Sequence, residues 1–213
     1  MNPYAPAVRH LRHCDPVLRE VISRAGPCEL RRECERSQFG ALLDAFIYQQ
    51  LAYRAAQTIS QRFRQLYGRG GGGRLPTPEE LLDTPARRLR AVGISRQKMS
   101  YMRDLAHKAC DGTLQLGRFG SMTDEQVIEN LTQVKGIGRW TSEMFLIFSL
   151  GRLDVLPVDD LGLRYGFRKA YAMRTLPSPE RMQKIAEPWR PYRSVGTWYM
   201  WQVRRMQLIG DAG

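Results

Sequence analysis

Apolar residues recur at helical spacing along nearly the whole chain, and this repeat restricts the fold more than any other feature. Segments such as DPVLREVISRAG and SRQKMSYMRDLAHKACDG place apolar side chains three and four positions apart. No segment of useful length alternates apolar and polar residues as a half-buried strand would. The 213 residues suffice to bury a core without disulfides. We therefore predict an all-α protein of about nine or ten helices.

Capping residues locate several helix starts. Thr77, Ser95 and Thr123 each precede a helical pattern, which is the position that favours a side chain able to accept a backbone hydrogen bond. The pattern of residues 33–68 predicts a short helix, a break and a long helix. The inner stripe predicted there consists of Leu43, Phe46, Ile47, Leu51, Ala55, Ile59 and Phe63. The glycine-rich segment 68–74 is predicted to be a loop, either a tolerated insertion or a phosphate contact.

The charge balance points to a polyanionic partner. Lys and Arg number 33 against 21 Asp and Glu, a net charge of +12, which favours nucleic acid over a merely basic soluble protein. The four cysteines include no CxxC pair, so we expect reduced thiols, no zinc or iron–sulfur cluster and a cytosolic location. The N-terminus lacks a signal-peptide pattern and no apolar run reaches membrane-spanning length, so we expect no membrane association.

A glycine hairpin joins two predicted helices. Only Lys135 to Gly138 separate ENLTQV from RWTSEMFLIFSL, and Gly136 and Gly138 permit positive φ and close backbone approach. The second helix would begin with N–H groups that lack intrahelical partners, an arrangement that suits a DNA phosphate. We expect Lys135, Arg139 and Thr141 to contribute to the same site. The alternative is an ordinary corner between two helices.

An acid pair follows about twenty residues later. Asp159 and Asp160 precede the predicted helix LGLRYGFRKAY. Adjacent side chains diverge, so the two carboxylates are poorly placed to flank one bond. One carboxylate would do chemistry and the other would support it, or either would simply cap the helix. Capping and chemistry are compatible, because the positive end of a helix keeps a carboxylate ionised.

These motifs together resemble the helix-hairpin-helix DNA glycosylase superfamily. VKGIGRWTSEMFLIFSL is similar to its hairpin, and LPVDDLGLR is similar to the loop that holds its essential aspartate. WRPYRSVGTWYMW, DAFIYQQLAYRAAQTI and VGISRQKMSYMRDLA resemble the 3-methyladenine DNA glycosylase II branch. The resemblance implies one domain over 1–213 with two helical lobes, a DNA-binding cleft between them and no β-rich N-terminal lobe. Lobe A would span 38–160 with the hairpin at 131–150, and lobe B would combine 1–37 with 161–213.

The resemblance also assigns roles to individual residues. It implies that Asp160 is the catalytic carboxylate and that Trp140 and Trp201 line a pocket for a cationic base, since indole faces attract cations. Packing in the core is the alternative for each Trp. The further aromatic candidates are Tyr48, Tyr53, Tyr192, Trp198 and Tyr199.

The resemblance further implies a residue that enters the DNA and a cation site in the hairpin, and two basic residues are candidates for a DNA contact. Gln50 or its neighbour Leu51 would fill the space left by the extruded base, unless Leu51 belongs to the core and Gln50 to the surface. Arg96 and Lys98 would contact the DNA backbone or merely be solvated. We expect no required cofactor, while the resemblance implies that the backbone carbonyls of Thr132, Val134 and Gly136 hold a structural monovalent cation.

The resemblance finally implies an activity. The expected protein is a monomeric, monofunctional glycosylase that removes alkylated bases such as 3-methyladenine and 7-methylguanine from double-stranded DNA in base excision repair. It would lack lyase activity because Trp140 stands where bifunctional members carry a lysine. It would act in the bacterial cytoplasm in association with the nucleoid, or elsewhere in a cell together with the DNA. The alternatives are the same fold acting on other damaged bases, or a DNA-binding module without catalysis.

Overall fold

A computed structural model describes residues 2–30, 37–68 and 73–210, and the regular secondary structure of these residues is entirely helical. Within these ranges there are twelve α-helices, two short 3₁₀ helices and no strand, which confirms the all-α prediction. The helix number exceeds the prediction because the N-terminal arm is itself a helix and the C-terminal segment is divided by a 3₁₀ turn. Most of the predicted loop 68–74 lies outside the described residues.

The α-helices have the following bounds. They are α1 Ala5–Cys14, α2 Pro16–Ala25, α3 Gln38–Tyr48, α4 Tyr53–Gln65, α5 Pro78–Asp83, α6 Ala86–Ala91, α7 Arg96–Cys110, α8 Asp124–Thr132, α9 Arg139–Phe148, α10 Leu161–Ala170, α11 Pro179–Ala186 and α12 Arg193–Gly210. The 3₁₀ helices are Leu116–Arg118 and Glu187–Trp189.

The chain divides into two compact units whose limits differ from the predicted lobes. One unit is Glu33–Phe145, and the other combines Met1–Arg32 with Leu146–Gly213. The predicted boundary after residue 160 is therefore about fifteen residues late. The reason is that residues 152–155 are bound to the start of α12: Ser194 Oγ accepts from the Val155 N–H at 2.9 Å, and Arg193 Nε donates to Asp154 at 2.7 Å.

In the unit Glu33–Phe145, α3 and α7 supply much of the core. Phe46 on α3 and Met102 on α7 are fully buried, and the Phe46 ring lies 5.7 Å from the ring of Tyr101. The predicted caps form: Ser95 accepts from the Lys98 N–H, while Thr77 and Thr123 make capping boxes. These local signals were readable because capping depends on residues three positions apart.

The predicted inner stripe is interrupted between α3 and α4. Leu43, Phe46 and Ile47 are buried on α3 as expected, but the residues of α4 that are buried are Ala56, Ser60 and Phe63. Ala55 and Leu51 are exposed, so their assignment to the stripe was wrong. The four-residue turn 49–52 resets the helical register, which a continuous periodicity could not reveal.

In the other unit, α10 packs closely against α12. A Cβ added to Gly166 would come within 2.3 Å of the Met200 carbonyl oxygen, so only glycine permits this approach. The buried Asp15 carboxylate precedes α2 and connects this helix to later parts of the same unit. It accepts hydrogen bonds from the Trp189 indole at 2.8 Å and from the Tyr171 hydroxyl. Over the described residues, no helix has the length and apolar character needed to cross a membrane.

Candidate functional site

The hairpin between α8 and α9 contains two glycines with different structural demands. Gly136 has φ +82°, and a Cβ there would lie 2.3 Å from the Tyr101 ring. Gly138 is exposed, and a Cβ added to it would meet no heavy atom within 4 Å. The fold therefore requires glycine at position 136, whereas at position 138 the space beside the backbone is open to an approaching group.

Gly138 immediately precedes α9. Its carbonyl accepts from the backbone N–H and the hydroxyl of Ser142, at 3.0 and 3.1 Å, as the cap of a helix does. The N–H groups of the first turn of a helix have no intrahelical acceptor, so the N-terminus of α9 favours an anion. Thr141 lies in this first turn and is partly exposed.

The two basic residues of the hairpin differ in their partners. Lys135 is exposed, with its Nζ 3.9 Å from Asp104, and its backbone N–H donates to the same carboxylate at 2.9 Å. Arg139 donates two hydrogen bonds to Glu125, at 2.7 and 2.9 Å, and its Nε lies 3.3 Å from Glu143. The hydrogen bonds from Arg139 lower the pKa of the Glu125 carboxyl. Arg139 is thus paired with two acids at short distances, whereas the ammonium of Lys135 has one longer contact with Asp104.

The turn between α3 and α4 presents apolar side chains to solvent. Leu51 is 41% exposed and Tyr53 is 69% exposed, while the rings of Tyr48 and Tyr53 lie 5.8 Å apart. Gln50 has φ +56°, which is uncommon for a residue with a side chain. This segment carries the predicted wedge residues, and Leu51 is not part of the core.

The two basic residues at the start of α7 have different surroundings. Arg96 is exposed at the first position of the helix. The Lys98 ammonium instead donates to the carbonyls of Ile47 and Gln49, at 2.7 and 2.9 Å, and burial lowers its pKa. Lys98 therefore binds the end of α3. The sequence predicts either a DNA contact or a solvated side chain at this position, and neither prediction includes this role.

In the unit that contains α10, Asp160 is held by two donors. Its Oδ1 accepts from the backbone N–H of Leu163 at 2.5 Å, which makes Asp160 the N-cap of α10. The same oxygen accepts from the Trp201 indole Nε1 at 2.8 Å. Asp159 is exposed, whereas Asp160 is partly buried. Of the two acids, the structure fixes the orientation of Asp160.

Trp201 reaches Asp160 because α10 and α12 pack closely at Gly166. Its ring is stacked on Phe148, with centroids 5.8 Å apart and planes inclined by 13°. The indole is therefore oriented by a ring contact on its face and by a hydrogen bond at its nitrogen. A carboxylate, an indole and a phenyl ring lie together in this unit.

The other aromatic candidates fall into separate environments. Trp140 is 44% exposed on the first turn of α9 in the unit Glu33–Phe145. Tyr199 is fully buried and its hydroxyl donates to the Gly26 carbonyl, so it belongs to the core and not to a pocket. Trp198 packs edge-on against Tyr199, and Tyr192 packs edge-on against His10.

The carbonyls proposed for a cation belong to the hairpin. The Val134 oxygen accepts from the Ile137 N–H at 3.1 Å, and the Gly136 oxygen accepts from the Gln49 side-chain amide at 3.2 Å. A carbonyl oxygen has two lone pairs, so each of these oxygens retains one lone pair after it accepts its hydrogen bond. Oxygen atoms of this kind are the ligands that a hard cation uses. Over residues 2–30, 37–68 and 73–210, no three His, Cys, Asp or Glu side chains are grouped so as to hold a metal.

Two supporting residues escaped sequence reasoning. Asp104 accepts from the Lys135 N–H and from Lys108 Nζ, and Gln49 donates to the hairpin at Gly136. The sequence indicates only that Asp104 and Lys108, four positions apart on one helix, are close enough to form an ion pair. The contacts to the hairpin join residues 31 and 87 positions apart, for which a single sequence carries no signal.

Comparison with known proteins identifies the family of this chain. Residues 43–191 match the model of the HhH-GPD superfamily base excision DNA repair protein family. From Schizosaccharomyces pombe, the alkylbase DNA glycosidase-like protein mag2 is 29% identical over 99% of this chain and 98% of its own length. DNA-3-methyladenine glycosylase 1 of the same yeast is 34% identical over 92% of this chain and 86% of its length.

A solved structure shows the same fold. It is the S. pombe 3-methyladenine DNA glycosylase Mag1 in complex with abasic DNA, with a TM-score of 0.79 and 34% identity over 93% of this chain and 96% of that one. The family match covers well over half of the chain and includes the hairpin and Asp160. The chain therefore belongs to the HhH-GPD superfamily of base excision DNA repair proteins.

Proposed function

We propose that this protein is a monofunctional DNA glycosylase that hydrolyses the N-glycosidic bond of alkylated bases in duplex DNA. The observation that carries the proposal is the fixed carboxylate of Asp160, which caps α10 and accepts from Trp201. The names of the relatives, which are 3-methyladenine and alkylbase glycosylases, support the same substrate class. Such a protein works wherever damaged genomic DNA is found.

Asp160 would act on the sugar. As the C1′–N bond breaks, its electron pair moves to the base and positive charge develops on the sugar. A carboxylate near C1′ stabilises that charge and accepts a proton from the water that attacks C1′. The backbone N–H of Leu163 and the indole N–H of Trp201 both donate to Oδ1 of Asp160 and so fix the orientation of the carboxylate. The products are the free base and an abasic site.

A single acid suits an alkylated base. A neutral purine needs protonation to leave, whereas a base such as 3-methyladenine already carries positive charge and becomes neutral when it takes the bonding electrons. Recognition then requires an electron-rich aromatic surface. In the unit that contains Asp160 the indole of Trp201 would provide it, and in the unit Glu33–Phe145 the candidates are Trp140 and Tyr48.

The unit Glu33–Phe145 would bind the DNA. The N-terminus of α9 with Gly138 and Lys135 would hold a phosphate, and Arg96 would add a backbone contact. Gln50 and the exposed Leu51 would enter the space left by the extruded nucleotide. Backbone contacts give affinity without sequence preference, which suits a search for damage in any sequence.

We also propose hydrolysis without strand cleavage. By the family resemblance, Trp140 stands where bifunctional members carry a lysine, so no amine at that position can form a Schiff base with the sugar. Borohydride reduction during turnover should therefore trap no covalent protein–DNA complex. A trapped complex would contradict this assignment.

The hairpin carbonyls of Thr132, Val134 and Gly136 would bind a monovalent cation that strengthens the positive field toward a phosphate. Replacing K⁺ or Na⁺ by tetramethylammonium at constant ionic strength should weaken DNA binding and lower the unfolding temperature. Unchanged values for both would exclude this cation.

The decisive assay measures release of 3-methyladenine and 7-methylguanine from methylated duplex DNA. Asp160→Asn keeps an oxygen that can accept from Leu163 and Trp201 but loses the charge, so release should fall about 10²–10³-fold with little loss of stability. The exposed neighbour Asp159→Asn is the matched control and should keep most of the activity. Equal rates for Asp160→Asn and wild type would refute the assignment of Asp160.

The same assay separates the alternatives. If wild type binds DNA but releases no methylated base, a panel of duplexes with single deaminated or oxidised bases distinguishes another lesion from a non-catalytic binding module.

A further inference from the structure

The turn 49–52 holds an unfavourable backbone conformation while exposing apolar groups. Gln50 has φ +56° although it has a side chain, and Leu51 and Tyr53 are exposed. A conformation of this kind persists only when surrounding contacts enforce it, and it commonly marks a functional segment. The contacts that enforce this one can be identified.

Lys98 on α7 provides the first of these contacts. Its ammonium donates to the carbonyls of Ile47 and Gln49, at 2.7 and 2.9 Å. These two carbonyls lie on either side of the end of α3, just before Gln50. A compact ammonium with three donors can satisfy both carbonyls at once and so fix the direction in which the chain leaves the helix.

Gln49 provides the second contact and connects the turn to the hairpin. Its side-chain amide donates to the Gly136 carbonyl at 3.2 Å. Gly136 in turn lies against the Tyr101 ring, and the neighbouring Lys135 N–H donates to Asp104 at 2.9 Å. Lys98, Tyr101 and Asp104 recur at helical spacing on α7, so one face of this helix supports both the turn and the hairpin.

We propose that Lys98 and Gln49 are positioning residues that hold Gln50 and Leu51 in the projecting conformation and at a fixed distance from the phosphate-binding hairpin. The proposal rests on the proposed function, in which this turn enters the duplex and the hairpin binds the backbone. With both elements held on one helix, phosphate binding and interruption of the base stack occur together. Lys98 then acts through the turn and not through a DNA phosphate.

The salt dependence of binding distinguishes these two roles of Lys98. A lysine that contacts a phosphate contributes about 0.9 to the slope of log Kobs against log salt concentration. A lysine that only positions the turn contributes nothing to that slope, but its loss should impair the opening of the stack. Lys184→Met, which removes one positive charge from an exposed position on α11, serves as the matched control.

The experiment compares wild type with Lys98→Met, Gln49→Met and Lys184→Met. The first measurement is the affinity for a duplex with a tetrahydrofuran abasic analogue, at several salt concentrations. The second is the fluorescence of a 2-aminopurine beside the abasic analogue, which increases when the neighbouring bases unstack. The third is the single-turnover release of methylated bases, and thermal unfolding confirms that each variant is folded.

We expect Lys98→Met and Gln49→Met to keep the wild-type salt slope, to lose most of the 2-aminopurine response and to release methylated bases at least about tenfold more slowly. Lys184→Met should match wild type in stack opening and release. A slope reduced by about 0.9 in Lys98→Met, with normal release from bound DNA, would overturn the proposal in favour of a phosphate contact. Wild-type behaviour of both variants would overturn it as well.

Two further outcomes are decisive. If Lys98→Met does not fold, Gln49→Met decides, since it removes only the side-chain contact with Gly136. If wild type releases no methylated base, the proposed function fails, but the 2-aminopurine response on abasic DNA still tests the positioning role. A wild-type protein that gives no such response would overturn it.

Discussion

The indole nitrogen of Trp201 donates a hydrogen bond to Oδ1 of Asp160 at 2.8 Å. The two residues lie 41 positions apart and meet because α10 and α12 pack closely at Gly166. The family resemblance predicts that Trp201 binds a cationic base. In the structure the indole also orients the carboxylate of Asp160, which we propose stabilises the charged sugar.

Trp201→Phe separates these two roles. Phenylalanine keeps an aromatic face that can stack on Phe148 but lacks the N–H donor. A hydrogen bond to a charged group is worth about 1.5–3 kcal/mol, so we expect single-turnover base release to fall at least about tenfold while affinity for abasic DNA stays within about twofold. Unchanged release would mean that the bond to Asp160 does not matter for the reaction.

The fold class and the caps followed from the sequence because they depend on local patterns. Helical periodicity predicted an all-α chain, and Thr77, Ser95 and Thr123 cap helices as expected. The predicted stripe failed at the turn 49–52, where Gln50 adopts a positive φ that helical periodicity does not encode. Local rules commonly fail at functional segments, and this turn carries the proposed wedge.

The sequence does not predict which groups the basic residues bind. Lys98 at a helix start looked like a solvated side chain or a DNA contact, yet its ammonium binds two carbonyls about fifty positions earlier in the chain. Arg139 looked like a phosphate ligand, yet it is paired with Glu125 and Glu143. The type of each residue was informative, but its partner was set by tertiary packing.

The two hairpin glycines should respond differently to alanine. Gly138→Ala places its Cβ in open space, so we expect a loss of stability below about 1 kcal/mol, from a poorer helix cap, together with clearly weaker binding to any duplex. Gly136→Ala must adopt φ +82° and displace the Tyr101 ring, which should destabilise the fold by about 2–4 kcal/mol. Chemical denaturation and fluorescence anisotropy measure the two effects. Full DNA affinity in folded Gly138→Ala would argue against phosphate binding at this position.

Asp104 should make the stability of the hairpin depend on pH in the acid range. Burial alone would raise the pKa of its carboxyl, but hydrogen bonds from Lys108 and the Lys135 N–H outweigh burial and lower it. A lowered pKa in the folded state means that the ionised group stabilises the fold at pH values above its unfolded pKa of about 3.9, and that this contribution disappears as the pH falls through the folded value.

Asp104→Asn tests this relationship. We expect the free energy of unfolding to drop by about 1–2 kcal/mol at pH 5–7, with the difference from wild type shrinking below about pH 4. Glu129→Gln, at an exposed position on α8, is the control and should show little difference at any pH. A difference between wild type and Asp104→Asn that stays constant down to pH 2.5 would show that the charge of Asp104 is not responsible.

The final prediction concerns the two basic residues of the hairpin. Affinity for undamaged duplex should fall steeply and linearly with log salt concentration, because phosphate contacts release counterions. Lys135→Met should reduce the slope by about 0.9, the contribution of one phosphate contact. Arg139→Met should change the slope less, because Glu125 and Glu143 already neutralise the guanidinium in the protein.

Anisotropy titrations at five salt concentrations measure these slopes. Equal reductions for both variants would mean that Arg139 leaves its acids to bind DNA, and a flat wild-type response would contradict the role of the net charge of +12 in DNA binding.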